Sequence, residues 1–130
     1  DAVFFKEFTT SRGVLEKFTP GDIEFDAPAR LIDMMKRKDF GQYADKDGEL
    51  HTCLLTDNEI TGGNSGSPVI NGKGEWIGTA FDGNWEAIAS DFAFEPQFQR
   101  TICVDVRYTL FILDKFGGAG HLLNEMKIVR

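Results

Sequence analysis

Apolar and polar positions alternate in short runs through the middle of this 130-residue chain, with helical spacing near residue 30 and again after residue 105. In "DAPARLIDMMKRKDFG" (26–41), Leu31, Ile32 and Met35 share one helical face. Asp26 is expected to cap this helix with Pro28 in its first turn; Lys36, Arg37 and Lys38 suit its C-terminal end, and Gly41 permits termination. The first 25 residues alternate weakly and break at Gly13 and at Thr19–Asp22, so they read as an extended arm or an irregular strand pair.

A polar connector with a turn at Asp47–Gly48 leads into a short strand, "LHTCLLT" (50–56). After a Gly/Ser loop, "SPVI" is predicted to pair with "EWIGTAFDG" (75–83) across the hairpin turn Asn71–Gly74. Gly78 in the second strand marks a weak point or a close approach. An aromatic-rich excursion (84–99) precedes another strand, "RTICVDV" (100–106). "VRYTLFILDKFGG" then predicts a largely buried helix with Asp105 near its cap and Gly117 at its end, and "AGHLLNEMKI" a further short helix. Hairpins followed by terminal helices suggest an antiparallel barrel or sandwich with helical additions.

Composition removes several function classes. Acidic residues outnumber basic ones, 21 to 14, for a net charge of −7, which argues against nucleic acid as a partner. No apolar run approaches 18 residues, so no membrane span is expected. No His/Cys/Asp cluster has ligand spacing, so no metal or cofactor is implied. Cys53 and Cys103 read either as two buried thiols or as one disulfide. The start, "DAVFF", carries neither an initiator Met nor a signal-peptide pattern, which leads us to expect a processed protein or a fragment.

The candidate chemistry lies in "TGGNSGSPVI" (61–70). A serine hydroxyl needs a base to take its proton and a backbone cradle for the oxyanion it creates. Glycines beside a serine allow successive N–H groups to point into one cavity. Gly63 and Ser65 are the donors expected here, with Ser65 at the apex and Pro68 stiffening the exit into a strand. A bare Gly/Ser turn closing a hairpin is the competing reading. The strand after Pro68 excludes the α/β-hydrolase elbow, where a helix follows.

"TGGNSGSPVINGKGEWIGTAFDGNWEA" resembles the serine loop and following hairpin of the chymotrypsin clan, and more narrowly the bacterial dipeptidyl-peptidase 7 and 11 family, the S46 serine peptidases. The likeness extends through "KFTPGDIEFDAPARLIDMM" and "FEPQFQRTICVDVRYTLFILDKFGGAGHLLNEM", almost the whole chain. The resemblance implies that Ser65 is the catalytic serine and that Gly63 and Ser65 supply the oxyanion-hole N–H groups. It implies that Asp82 helps hold the substrate's free α-amino group. Gly83 matches a specificity position that is Arg in members selecting Asp or Glu before the cut, and Gly in members accepting apolar residues. Asn64 stands where trypsin-like proteases carry the Asp that pairs with a new N-terminus, so activation by such cleavage is not expected.

The fold implied is mainly β: a trypsin-like second β-barrel, incomplete, with flanking and C-terminal helices. Residues 1–130 are expected to be a C-terminal fragment of a peptidase catalytic domain. Within it, 1–45 form an extended arm and helix, 46–104 the barrel hairpins with the serine loop, and 105–130 the C-terminal helices. His51 and His121 both read as structural or surface residues, so the remainder of the parent catalytic domain is expected to supply the histidine and aspartate. The implied activity is release of N-terminal dipeptides, with an apolar residue before the cut. The implied substrates are peptides with a free N-terminus, and the implied setting is a homodimer at the periplasm or cell surface of a Gram-negative bacterium. The fragment alone is expected to be inactive and, having lost neighbouring surface, prone to self-association. Two alternatives remain: a non-enzymatic binding or assembly module, and a small self-contained protease using His51.

Overall fold

The computed structural model describes residues 6–89, 95 and 97–129. The start of the predicted arm and part of the aromatic-rich excursion lie outside the described residues. Five strands, β1 (Phe8–Thr10), β2 (His51–Thr56), β3 (Pro68–Ile70), β4 (Trp76–Gly83) and β5 (Thr101–Asp105), form one antiparallel sheet in the order β1-β2-β5-β4-β3. Its edges are β1 and β3, and it does not close into a barrel. This is an incomplete trypsin-like barrel. The helices are α1 (Ser11–Lys17), α2 (Ala29–Lys36) and α3 (Val106–Phe111), supplemented by short 3-10 turns.

The chain divides into two compact units. The first, within residues 1–8 and 53–106, holds the pairing of β3, β4 and β5 and the C-terminal part of β2. The β3–β4 hairpin closes as its sequence predicts. Asn71 N–H donates to the Glu75 carbonyl at 2.9 Å and Gly74 adopts φ +77°. Gly78 is a close approach: a Cβ there would stand 2.8 Å from the Val104 carbonyl oxygen and 3.4 Å from the Cys103 Cβ. Cys53 pairs with Val104, and Leu54 with Cys103. Directly paired residues share a face and successive ones alternate, so the two cysteines point to opposite faces. Both are free thiols, and the buried reading holds for Cys103 alone, since Cys53 is half-buried.

Regular alternation in β4 would put Asp82 on the face of Gly78 and Ala80. The register instead shifts, with Ala80 opposite Cys103 and Asp82 opposite Ile102. Phe81 is the extra residue of a bulge, and Asp82 is turned to the other face.

The second unit, within residues 9–52 and 107–130, is mainly helical. Leu31, Ile32, Met34 and Met35 of α2 are buried, as the helical spacing required, with Met34 added to the predicted face. Asp26 does not cap α2: Pro28 takes the N-cap position, and the Asp26 carboxylate accepts the N–H of Ala27. Phe40 and Tyr43 pack edge-on against Phe111, with ring centroids 6.0 and 6.4 Å apart. The Tyr43 hydroxyl donates to Asp114 at 2.7 Å.

The segment read as an extended arm contains α1, a correction with a tertiary cause. Buried Ser11 donates its N–H to the Leu50 carbonyl at 2.9 Å and its hydroxyl to Glu49 at 3.1 Å, which anchors the first turn despite Gly13. At the other end, α3 widens into a π-helical turn over Ile112–Phe116, where Gly117 N–H reaches the Ile112 carbonyl at 2.7 Å. Asp105 is the buried last residue of β5, and Gly117 ends the turn as predicted.

Candidate active site

The serine loop is held by its own backbone and by β4. Asn64 N–H donates to the Thr61 carbonyl at 3.1 Å and Ser67 N–H to the Asn64 carbonyl at 2.9 Å. The Asn64 side-chain oxygen accepts the Thr61 N–H at 2.8 Å, a local turn bond that needs no charge. Gly63 and Gly66 take φ +95° and +90°, conformations that a Cβ would strain. Gly66 N–H donates to the Ala80 carbonyl at 2.8 Å, and Ala80 N–H returns a bond to the Ser67 carbonyl at 3.0 Å. Ala80 therefore fixes the exit of the loop in both directions.

Ser65 is exposed, and its hydroxyl donates to the Phe81 carbonyl at 3.2 Å. Among the described residues, the Gly63 and Ser65 N–H groups donate to no protein acceptor. Two unspent donors beside an accessible hydroxyl are what an oxyanion-stabilising serine site needs. Asp82 is exposed one residue past the bulge and accepts the N–H of Gly83 at 2.8 Å. Gly83 adjoins the 3-10 turn Trp85–Ala89; a Cβ at Gly83 would stand 2.9 Å from the Cβ of Ala87.

Asn84 fastens that turn. Its N–H and side-chain N–H donate to the carbonyls of Arg100 at 2.9 Å and Phe98 at 2.7 Å, and its side-chain oxygen accepts the Arg100 N–H at 2.8 Å. Ala87, Ile60, Glu59, Arg100 and Thr101 line a small cleft with Asn58 and Gln99. Thr101 tethers the approach to the serine loop by donating its hydroxyl to the Asn58 carbonyl at 2.6 Å. Neither Asn84 nor Ala87 was singled out by sequence pattern: Asn84 bonds to Phe98 and Arg100 across the excursion, and Ala87 meets Gly83 only because that anchored turn folds back on β4.

His51 belongs to the second unit, where it is buried and held among charged groups. Its Nε2 lies 3.3 Å from Asp45 and 3.9 Å from Asp47, and its Nδ1 lies 2.9 Å from the Arg107 guanidinium. Arginine only donates, so Nδ1 must be the acceptor and the ring proton sits on Nε2, facing the carboxylates. The lone pair that a general base would use is committed to Arg107. Asp45 itself is held below the usual carboxylate range by the Lys46 N–H and by Arg107. His121 lies in the 3-10 turn Gly120–Glu125 and is exposed.

Among the described residues, no group of three or more His, Cys, Asp or Glu is placed to hold a metal ion, and no helix is long and apolar enough to cross a membrane.

An open half of a trypsin-like barrel carrying a glycine-flanked serine loop defines a segment of a serine-peptidase catalytic domain. The chain belongs to the peptidase S46 family, whose model matches residues 1–128. It is 58% identical over 123 residues to dipeptidyl-peptidase 7 of Capnocytophaga gingivalis, covering 95% of this chain and 17% of that protein. It is 51% identical over 130 residues to the Asp/Glu-specific dipeptidyl-peptidase of the same organism, covering 100% of this chain and 18% of that protein. The structure of Porphyromonas endodontalis DPP11 in complex with the dipeptide Arg-Glu matches with a TM-score of 0.92 and 41% identity, covering 96% of this chain and 18% of that one. The chain thus spans less than a fifth of the length of these relatives.

Proposed function

We propose that this segment is the C-terminal part of a serine dipeptidyl peptidase and supplies its nucleophile, its oxyanion donors and one wall of its substrate site. The observation that carries the reading is Ser65: an exposed hydroxyl on a loop pinned to β4, beside the undonated N–H groups of Gly63 and Ser65. The remainder of the protein supplies the histidine and aspartate. That histidine takes the Ser65 proton as Oγ attacks the second carbonyl of a peptide, and the resulting oxyanion is met by the two N–H groups. The protonated histidine then gives its proton to the leaving amine. An acyl-enzyme remains, and water releases it as a dipeptide.

Asp82 takes the substrate's terminal ammonium, a charge-assisted pair that selects chain ends over internal bonds. Gly83 leaves the neighbouring subsite without a positive charge, which favours an apolar residue before the cut, since a buried carboxylate there would lack a partner. The relatives include both dipeptidyl-peptidase 7 and Asp/Glu-specific enzymes, so overall identity does not decide between them, and the proposal rests on Gly83. The same reading brings a periplasmic or cell-surface location, supported by the Gram-negative relatives, and a homodimer.

The test is steady-state hydrolysis by the full-length protein, with fluorogenic dipeptides carrying a free or an acetylated N-terminus. Ser65→Ala is expected to lower turnover by roughly 10⁴-fold or more with little change in melting temperature. Acetylation is expected to abolish cleavage. Wild-type rates in Ser65→Ala would remove the proposal.

A further inference from the structure

We infer that Ala87 is a second specificity-determining residue, acting through Gly83. The inference rests on the dipeptidyl-peptidase reading of the site and extends it. Gly83 does not have a positive φ, so its backbone accepts any L-residue. What keeps position 83 free of a side chain is the Ala87 methyl group. A Cβ at 83 would lie 2.9 Å from it, against about 3.5–4.0 Å for ordinary carbon contacts.

The methyl group cannot turn aside, because alanine has no side-chain rotamer. Its backbone cannot easily recede either. Ala87 N–H is bonded to the Asn84 carbonyl at 2.9 Å, and Asn84 is fixed to Phe98 and Arg100 by three further bonds. Ala87 also lines the cleft bounded by Ile60, Glu59 and Thr101. A change at 87 therefore alters both the room available at 83 and the wall of the cleft.

The two positions accordingly form one coupled element. Arginine at 83, the residue tied above to acidic substrates, fits only if 87 is glycine or the Trp85–Ala89 turn is displaced. Gly83→Arg alone forces that displacement, which damages the site for every substrate. Gly83→Arg with Ala87→Gly places the guanidinium without it. The pair, and not position 83 alone, selects apolar against acidic side chains.

The experiment compares the full-length wild type, G83R, A87G and G83R/A87G on free-N-terminal dipeptide substrates with Leu, Phe, Asp or Glu as second residue. G83R is expected to lose about tenfold or more in kcat/KM on apolar substrates and to gain nothing on acidic ones. The double variant is expected to raise the acidic-to-apolar ratio by a further tenfold or so over G83R. Thermal melting of G83A and G83A/A87G reads the contact without any substrate. G83A is expected to melt several degrees below wild type, and A87G to restore at least half of that loss.

If G83R alone shifts the ratio as far as the double variant, or G83A melts like wild type, the role of Ala87 is overturned. If the melting coupling holds while no variant moves the ratio, Gly83 does not face the substrate. In that case the assignment of the subsite fails together with the inference.

Discussion

The Ser65 hydroxyl donates to the Phe81 carbonyl, the peptide oxygen of the bulge residue just before Asp82. A carbonyl accepts a hydrogen bond but takes no proton, so this contact parks the hydroxyl in its neutral form. Attack requires a base to draw Oγ away from Phe81.

The chain of residues 1–130 alone is therefore expected to hydrolyse a free-N-terminal dipeptide substrate with an apolar second residue at background rate. Robust hydrolysis by the purified chain, abolished by Ser65→Ala, would show that the base is within it.

Should such a base exist, His51 is the residue to question. Its Nδ1 is occupied by Arg107 and its Nε2 faces Asp45. His51→Ala removes a buried ring beside Arg107 and Asp45, which stay paired with each other at 3.1 Å, so a loss of about 1–3 kcal/mol in stability is expected from the lost packing and hydrogen bond. Turnover by the full-length protein is expected to stay within about tenfold of wild type. A collapse matching that of Ser65→Ala would restore the self-contained protease.

The sheet offers a prediction of its own at Gly78. A methyl group there meets the Val104 carbonyl at 2.8 Å across a central strand pair, where neither backbone can withdraw without breaking its ladder. Gly78→Ala is expected to cost about 1–3 kcal/mol in denaturant unfolding of the chain. An unchanged midpoint would mean that β4 and β5 are farther apart than described.

Acid sensitivity should appear at Glu49. Hydrogen bonds from Lys38 and then from Ser11 hold its carboxyl below the usual range. A folded pKa below the unfolded one stabilises the protein above the ordinary glutamate value of about 4.3, and that share is lost as pH falls through the folded pKa. Melting temperature is expected to fall more steeply below about pH 5 in wild type than in Glu49→Gln. Parallel profiles would show that the pair contributes nothing to acid stability.

Local signals were enough for some elements. The helical face of Leu31, Ile32 and Met35, the Asn71–Gly74 turn and the close approach at Gly78 follow from spacing and turn chemistry. The helix at Ser11–Lys17 does not, because the bonds from Ser11 to Leu50 and Glu49 that secure it come from nearly forty residues away. The face of Asp82 was equally hidden: a period of two assigns it to the Ala80 side, and only the extra residue Phe81 turns it over. At the site, Ser65 announced itself through its glycines. The tie of Ala87 to Gly83 depends on a turn whose anchor, Asn84, reaches across to the entry of β5.

Cys53 and Cys103 sit on neighbouring strands yet look out from opposite sides of the sheet. A bond between them would have to pass through the backbone, so the native register forbids it whatever the redox potential outside. Oxidative folding machinery has no cross-link to install between these two residues. Reductant is expected to leave the folded chain's stability unchanged, whichever compartment it matures in.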